Sequence, residues 1–347
     1  MKHEKTKMDF YETPVIIESE AMQLGAVMTV PVSHGKVPAV ILAGGSLSQL
    51  RDGELMDVQH PGPPRKAMKL LAHRLAQKGF ASIRYDKPGY GQSRFFEKRF
   101  PHIDDHVSAL QAVWKFLQKQ PSIDGNSIII AGESAGAYYT CLLAKKGIEP
   151  FAYALLGALG SSIEELYRYN YGRTAVYAMQ SPAHLRWVEQ VAPKALALGL
   201  HYREMFEKAL EGIEFYTLFY KERTWDMYLP PTREQLEQQP LPFFGYLKRP
   251  VVIMQGQYDM NVPPGDAKII ETRIRESGNS EVIREIIPEA DHNFQMAPGD
   301  QEERMRERIS LSCLTRPYSD IFYDRLVIRL KTILSESERK KNNESVS

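Results

Sequence analysis

An apolar run at 128–130 leads into Gly132-Glu133-Ser134-Ala135-Gly136, and a helix-compatible segment follows. A serine in that setting sits on a sharp strand-to-helix turn, which lifts its hydroxyl above the end of a sheet. The turn strains the backbone at Ser134. Side chains at 132 and 136 would meet neighbouring backbone, so small residues belong there. The helix that starts at the turn directs unpaired N–H groups towards a developing negative charge. Without its flanks the pattern is commonplace. The strand before it and the helix after it mark Ser134 as a nucleophile.

A serine hydroxyl is a poor nucleophile at neutral pH. It needs a neighbouring base, and the base needs an orienting carboxylate. On a turn of this kind the chain order is serine, acid, histidine. Asp259 lies just past the apolar run 251–255, at the sheet edge where Ser134 is expected. His292 lies in a loop after the strand-like run 282–287, and it is the only histidine downstream of Asp259. Asp266 competes for the acid role but reads as the start of the next helix. Asp291 adjoins His292, and adjacent loop side chains point apart, so it reads as structural. Asp86, also after a strand at that edge, could be catalytic by position, and Arg84 is its expected partner.

Strand-like and helix-like stretches must position these groups. Segments 15–18 and 26–30 read as an opening hairpin. Further strands are expected at 38–42, 80–85, 127–131, 151–156, 250–255 and 282–287. Amphipathic helices are expected at 66–78, 105–118 and 321–334. Strands alternating with helices imply a mostly parallel sheet covered on both faces. From about 158 to 245 no strand is evident. That stretch is helix-prone and crowded with aromatics, Tyr167, Tyr169 and Trp187 among them, and it reads as a helical cap inserted between core strands. Most of the aromatics should fill the cap's own core, and some should line the substrate pocket.

Composition narrows the function. A length of 347 residues suits one large α/β domain with an insertion, or two small domains. A net charge of +1 and scattered basic residues argue against nucleic acid or an anionic membrane as partner. Two cysteines, Cys141 and Cys313, make a disulfide framework improbable. The charged N-terminus lacks the apolar core of a signal peptide, and no apolar run would span a bilayer, so a cytoplasmic protein is expected. His102-Ile103-Asp104-Asp105-His106 superficially suggests a metal site. Asp104 or Asp105 is more simply a helix N-cap. Gly89-x-Gly91 lacks the third glycine of a dinucleotide fingerprint.

With its Gly132–Gly136 turn, Gly256-Gln257-Tyr258-Asp259, Asp291-His292-Asn293 and the stretch from Arg84 to Ser93 (RYDKPGYGQS), the chain resembles the α/β-hydrolase superfamily. Within it, the chain is similar to cap-bearing bacterial esterases and serine-aminopeptidase-like hydrolases. The resemblance covers about residues 12–157 and 246–335, leaving 158–245 as the cap. It implies an α/β fold with a mostly parallel sheet of about eight strands, one of them antiparallel, flanked by helices. It also implies acyl transfer through a covalent intermediate. The oxyanion would be held by two backbone N–H groups. Ala135, after the nucleophile, supplies one. Where the family usually has His-Gly-x after the strand, this chain has Ala43-Gly44-Gly45, so Gly45 is the second donor by position, with Ser46 one register away. The bracing histidine of the family is missing.

The expected activity is hydrolysis of a carboxylic ester without cofactor or metal, on a small-molecule substrate that the aromatic cap suggests is bulky and at least partly apolar. A peptidase, thioesterase or acyltransferase could use the same groups. An aminopeptidase would need a carboxylate for the substrate amine, and Glu133, Glu164 and Glu165 are candidates. A non-catalytic binding protein on the same scaffold is the third reading, against which a complete set of catalytic groups argues. Oligomeric state is left open.

Overall fold

Residues with apolar side chains on both sides of a strand need cover on both sides, and this requirement shapes the centre of the molecule. The computed structural model describes residues 9–46, 49–56 and 62–344. Its strands are β1 (Phe10–Glu18), β2 (Met22–Pro31), β3 (Val37–Ala43), β4 (Ala81–Tyr85), β5 (Arg94–Phe95), β6 (Ile123–Glu133), β7 (Ala152–Leu156), β8 (Phe215–Tyr220), β9 (Arg223–Tyr228), β10 (Val251–Gly256) and β11 (Val282–Ile287). The main sheet has the order β1-β2-β4-β3-β6-β7-β10-β11, with the short β5 pairing β2. On that path β2 alone runs against its neighbours β1 and β4; from β4 to β11 every pairing is parallel. The fold is therefore the α/β-hydrolase fold.

The helices are α1 (Ala67–Ala76), α2 (Ile103–Gln118), α3 (Ala135–Lys145), α4 (Ile163–Tyr167), α5 (Arg173–Ala178), α6 (Pro182–Val191), α7 (Pro193–Leu210), α8 (Pro230–Glu237), α9 (Asp266–Glu276), α10 (Gln301–Ser310) and α11 (Asp320–Glu344). Strand alternation divides them between two faces. Ile128 and Ile130 of β6 pack with Val107, Leu110, Val113 and Leu117 of α2. Ile129 and Ala131 point the other way, to Leu71 and Leu75 of α1 and Leu326 and Leu330 of α11. Each fully buried Leu, Ile or Val contributes about 1.5–3 kcal/mol by leaving water.

Three sequence expectations need correction, and one helix was not anticipated. The segment between β7 and β10 is not purely helical, because β8 and β9 form an antiparallel hairpin in register from Phe215↔Tyr228 to Tyr220↔Arg223. Its strand signal is hidden: aromatic residues occupy both faces of β8, and the turn carries Lys221 at φ 54° where a glycine or asparagine would have announced it. Helix α10 is absent from the sequence reading because its only buried side chains are Met305 and Ile309. Helix α2 begins at Ile103 rather than at Asp104 or Asp105. His102 is its cap residue, and the Asp105 carboxylate accepts the His102 N–H at 2.8 Å. Arg84 does not pair with Asp86; it binds Glu12 at 2.8 Å and Asp52 at 2.7 Å, whereas Asp86 takes Arg51 and the Gln92 N–H.

The two histidines of the discounted cluster diverge. His102 bonds Glu234 of α8, while His106 is stacked on Tyr139 at 4.6 Å. Among the described residues no helix is long and apolar enough to cross a membrane.

Candidate active site

Ser134 stands between the end of β6 and the start of α3 with φ 51° and ψ −115°, a backbone state that L-residues avoid. The surroundings hold it there. Its N–H donates to the Leu156 carbonyl of β7 at 2.8 Å. A Cβ on Gly132 would come within 2.6 Å of the Gly136 carbonyl and the Ala137 nitrogen, and one on Gly136 would collide with the Ala43 carbonyl. Both positions therefore exclude side chains, because rigid backbone is the obstacle.

Asp259 is 1% exposed and follows β10. Its Oδ1 accepts the backbone N–H groups of Asn261 and Val262 at 2.7 and 2.8 Å. Its Oδ2 accepts from Gln255 at 2.6 Å and meets His292 Nδ1 at 2.7 Å. A carboxylate already receiving three N–H donors is an acceptor for His292 too, so Nδ1 carries the ring proton and Nε2 keeps its lone pair. Burial works against a charged His292, but the Asp259 carboxylate outweighs it and raises the pKa above the usual value of 6.5.

Two glycines admit the histidine loop. A Cβ on Gly157, at φ 61°, would press on the His292 ring at 3.1 Å. One on Gly256 would strike the Ala290 and Asp291 carbonyls. Asp291 turns inward and braces the loop, its Oδ1 accepting the N–H groups of Asn293 and Gln295 at 2.8 and 2.9 Å. Burial pushes its pKa up to about 6. Asp266 binds Gly160 and Ser161, away from His292.

Ser134, His292 and Gly45 line one open cleft. A Cβ on Gly45 would lie 3.3 Å from Ser134 Cβ, so the backbone there passes close to the hydroxyl. Ala135 opens α3, in the turn whose N–H groups have no intrahelical acceptor. Ser46 lines the same cleft. The bracing that a histidine would give the Gly44-Gly45 loop comes from elsewhere. Lys87 Nζ donates to the Gly45 carbonyl at 2.8 Å, and Gln49 packs against Gly44 while donating to Glu133 at 2.9 Å. Burial lowers the Lys87 pKa to about 7 against the pull of Glu133. Sequence reasoning included Lys87 in a motif without giving it a role. Its signal was a cation just after β4, at the sheet edge that carries Ser134.

The aromatics of the 158–245 segment do not supply the described walls of this cleft. Leu55, Met260, Met296, Leu311 and Leu314 provide apolar surface, with Arg304, Glu307 and Arg308 from α10. The segment acts one layer further out. Tyr169 donates to the Asp259 carbonyl at 2.8 Å, Tyr177 donates to Glu302 at 3.1 Å, and Trp187 lies 4.7 Å beneath Arg306. Of the acids considered for amine recognition, only Glu133 reaches the cleft, and Gln49 and Arg65 hold it. Glu164 and Glu165 pair with Arg203 and Arg168 outside it.

Residues 65–197 match the family of serine aminopeptidases, S33. No curated protein matches the sequence. Among solved structures, an esterase of Pyrococcus furiosus is similar at 14% identity and TM-score 0.54, covering 94% of this chain and 91% of its own. The α/β hydrolase GrgF of Penicillium sp. sh18 is similar at 15% identity and TM-score 0.53, with 88% and 98% covered. Est1E of Butyrivibrio proteoclasticus, bound to ferulic acid, is similar at 17% identity and TM-score 0.50, with 87% and 98% covered. The family match over residues 65–197 and these structures agree with the α/β-hydrolase fold described above.

Proposed function

We propose that the chain is a serine hydrolase that cleaves a partly apolar small-molecule carboxylic ester. The observation that carries this reading is the strained Ser134 turn opening into the same cleft as His292, whose other ring nitrogen is held by buried Asp259. Ser134 Oγ attacks the acyl carbon while His292 Nε2 takes its proton. The N–H groups of Gly45 and Ala135 hold the oxyanion. The tetrahedral adduct expels the alcohol, which takes the proton from His292. Water, deprotonated by His292, then attacks the acyl-serine, and the acid leaves as Ser134 regains its proton. The segment 158–245 serves as a cap that steadies the acid loop through Tyr169. The free thiols Cys141 and Cys313 fit a reducing cytoplasm.

Fluorophosphonate labelling read by intact mass tests the reading. The wild type should gain one adduct, and Ser134→Ala should gain none and lose on the order of 10⁴-fold or more in ester turnover. A folded wild type that stays unlabelled would sink the proposal. The family match favours one second reading, an aminopeptidase. The occupied carboxylates speak against it, and cleavage of an aminoacyl anilide in preference to a simple ester would restore it.

A further inference from the structure

Two cations face the cleft without an anionic partner among the described residues. Arg304 donates to the carbonyls of Pro298 and Gly299 at 2.8 and 2.7 Å and lies 4.1 Å over the Tyr258 ring; its Nε is buried with no acceptor among the described residues. Arg308 donates to the side-chain oxygens of Asn261 and Asn170. Both line the cleft with Ser134, and among the described residues neither forms an ion pair. The other charges there are matched. Arg65 pairs with Glu133, and Glu307 pairs with Arg316. Asp291 is spent on backbone N–H groups, and burial disfavours its charge.

Partly buried guanidinium groups held only by neutral oxygens have given up water without gaining a counter-charge. A ligand carboxylate would supply it, through the bidentate geometry arginine offers. We infer that the cleft takes an ester carrying a carboxylate on the part held under α10, with Arg304 and Arg308 as its binding residues. A monoanion fits better than a dianionic phosphate, because Glu307 lines the same wall. This inference deepens the proposed ester hydrolysis and rests on it. The competing role for Arg308 is purely mechanical, a tie between Asn170 of the cap and Asn261 beside the acid.

The test compares the para-nitrophenyl half-ester of glutarate with its neutral analogue, in which the terminal carboxylate is a carboxamide. The wild type should prefer the charged ester by roughly 10- to 100-fold in kcat/KM. Arg304→Gln and Arg308→Gln should bring that ratio towards one, and Arg304→Lys should recover part of it. A wild-type ratio near or below one overturns the inference. So does an equal loss on both esters in the variants, the signature of a mechanical role. If neither ester is turned over, the hydrolase reading fails, and calorimetry on Ser134→Ala with monomethyl glutarate and its carboxamide decides the inference separately. Tighter binding of the carboxylate, lost on removing the arginines, upholds the subsite; equal binding overturns it.

Discussion

Asp259 receives N–H donors from Gln255, Asn261, Val262 and His292, which uses its lone pairs and fixes the imidazole plane. The same carboxylate sets the pH behaviour. As the proposed base, His292 must be neutral to work, so the acid limb of kcat/KM should lie above pH 6.5. Stability runs the other way. The His292–Asp259 pair contributes fully below pH 6.5, and the contribution is lost as pH rises through the raised value. Asp259→Asn should move the acid limb down and cost roughly 10³–10⁴-fold in kcat. A limb unmoved in that variant would mean that another group is titrating. At this scale the sequence is most readable where chemistry is local. Ser134 sits in a contiguous motif, and Asp259 and His292 each follow a strand. Gln255, Arg304 and Arg308 carry no such mark, and Lys87 only its place after β4, since their roles depend on which loops fold over one another.

The elements around Ser134 work as clamps. β6 delivers the serine, β7 holds its N–H, and the end of β4 sends Lys87 to the Gly45 carbonyl. In the proposed mechanism Lys87 touches no reacting atom; it holds the carbonyl of Gly45, the proposed second oxyanion donor. Lys87→Met should therefore lower kcat by roughly 10- to 100-fold and leave KM within about threefold. A change confined to KM would show that Lys87 meets substrate instead. Element type was legible wherever a period ran cleanly, as in α2, whose Val107, Leu110, Val113 and Leu117 share one face. It failed for the β8–β9 hairpin, where both faces are aromatic, and for α10, where nearly every position is charged or polar. Missing α10 also misassigned the cleft wall, because the cap had seemed the natural source of it.

Across the whole molecule, the first strand is tied to the core by charge as well as by pairing. Glu12 of β1 meets Arg84 of β4 at 2.8 Å and His73 of α1 at 3.0 Å. Burial raises its pKa, but Arg84 and His73 outweigh that and lower it to about 2. A depressed carboxyl contributes stability that is complete above pH 4.5 and lost as pH falls through about 2. Glu12→Gln should melt earlier than the wild type at neutral pH, with the gap closing across that acid window in a Tm-against-pH series. A gap that persists at pH 2 would point to lost packing rather than lost charge.

The strand order has one more consequence, for the chain as it is made. β7 pairs on one side with β6, already complete, and on the other with β10, which follows the whole 158–245 segment in sequence. Every residue of β7 is buried in the finished protein. At ordinary elongation rates the ribosome needs roughly 5–20 s to make the intervening segment. Throughout that interval β7 presents an apolar, unpaired edge, the kind of template on which neighbouring nascent chains aggregate. Synthesis of the segment between β7 and β10 is therefore a stage at which the nascent chain is exposed to aggregation, and slowing translation there should lower soluble yield.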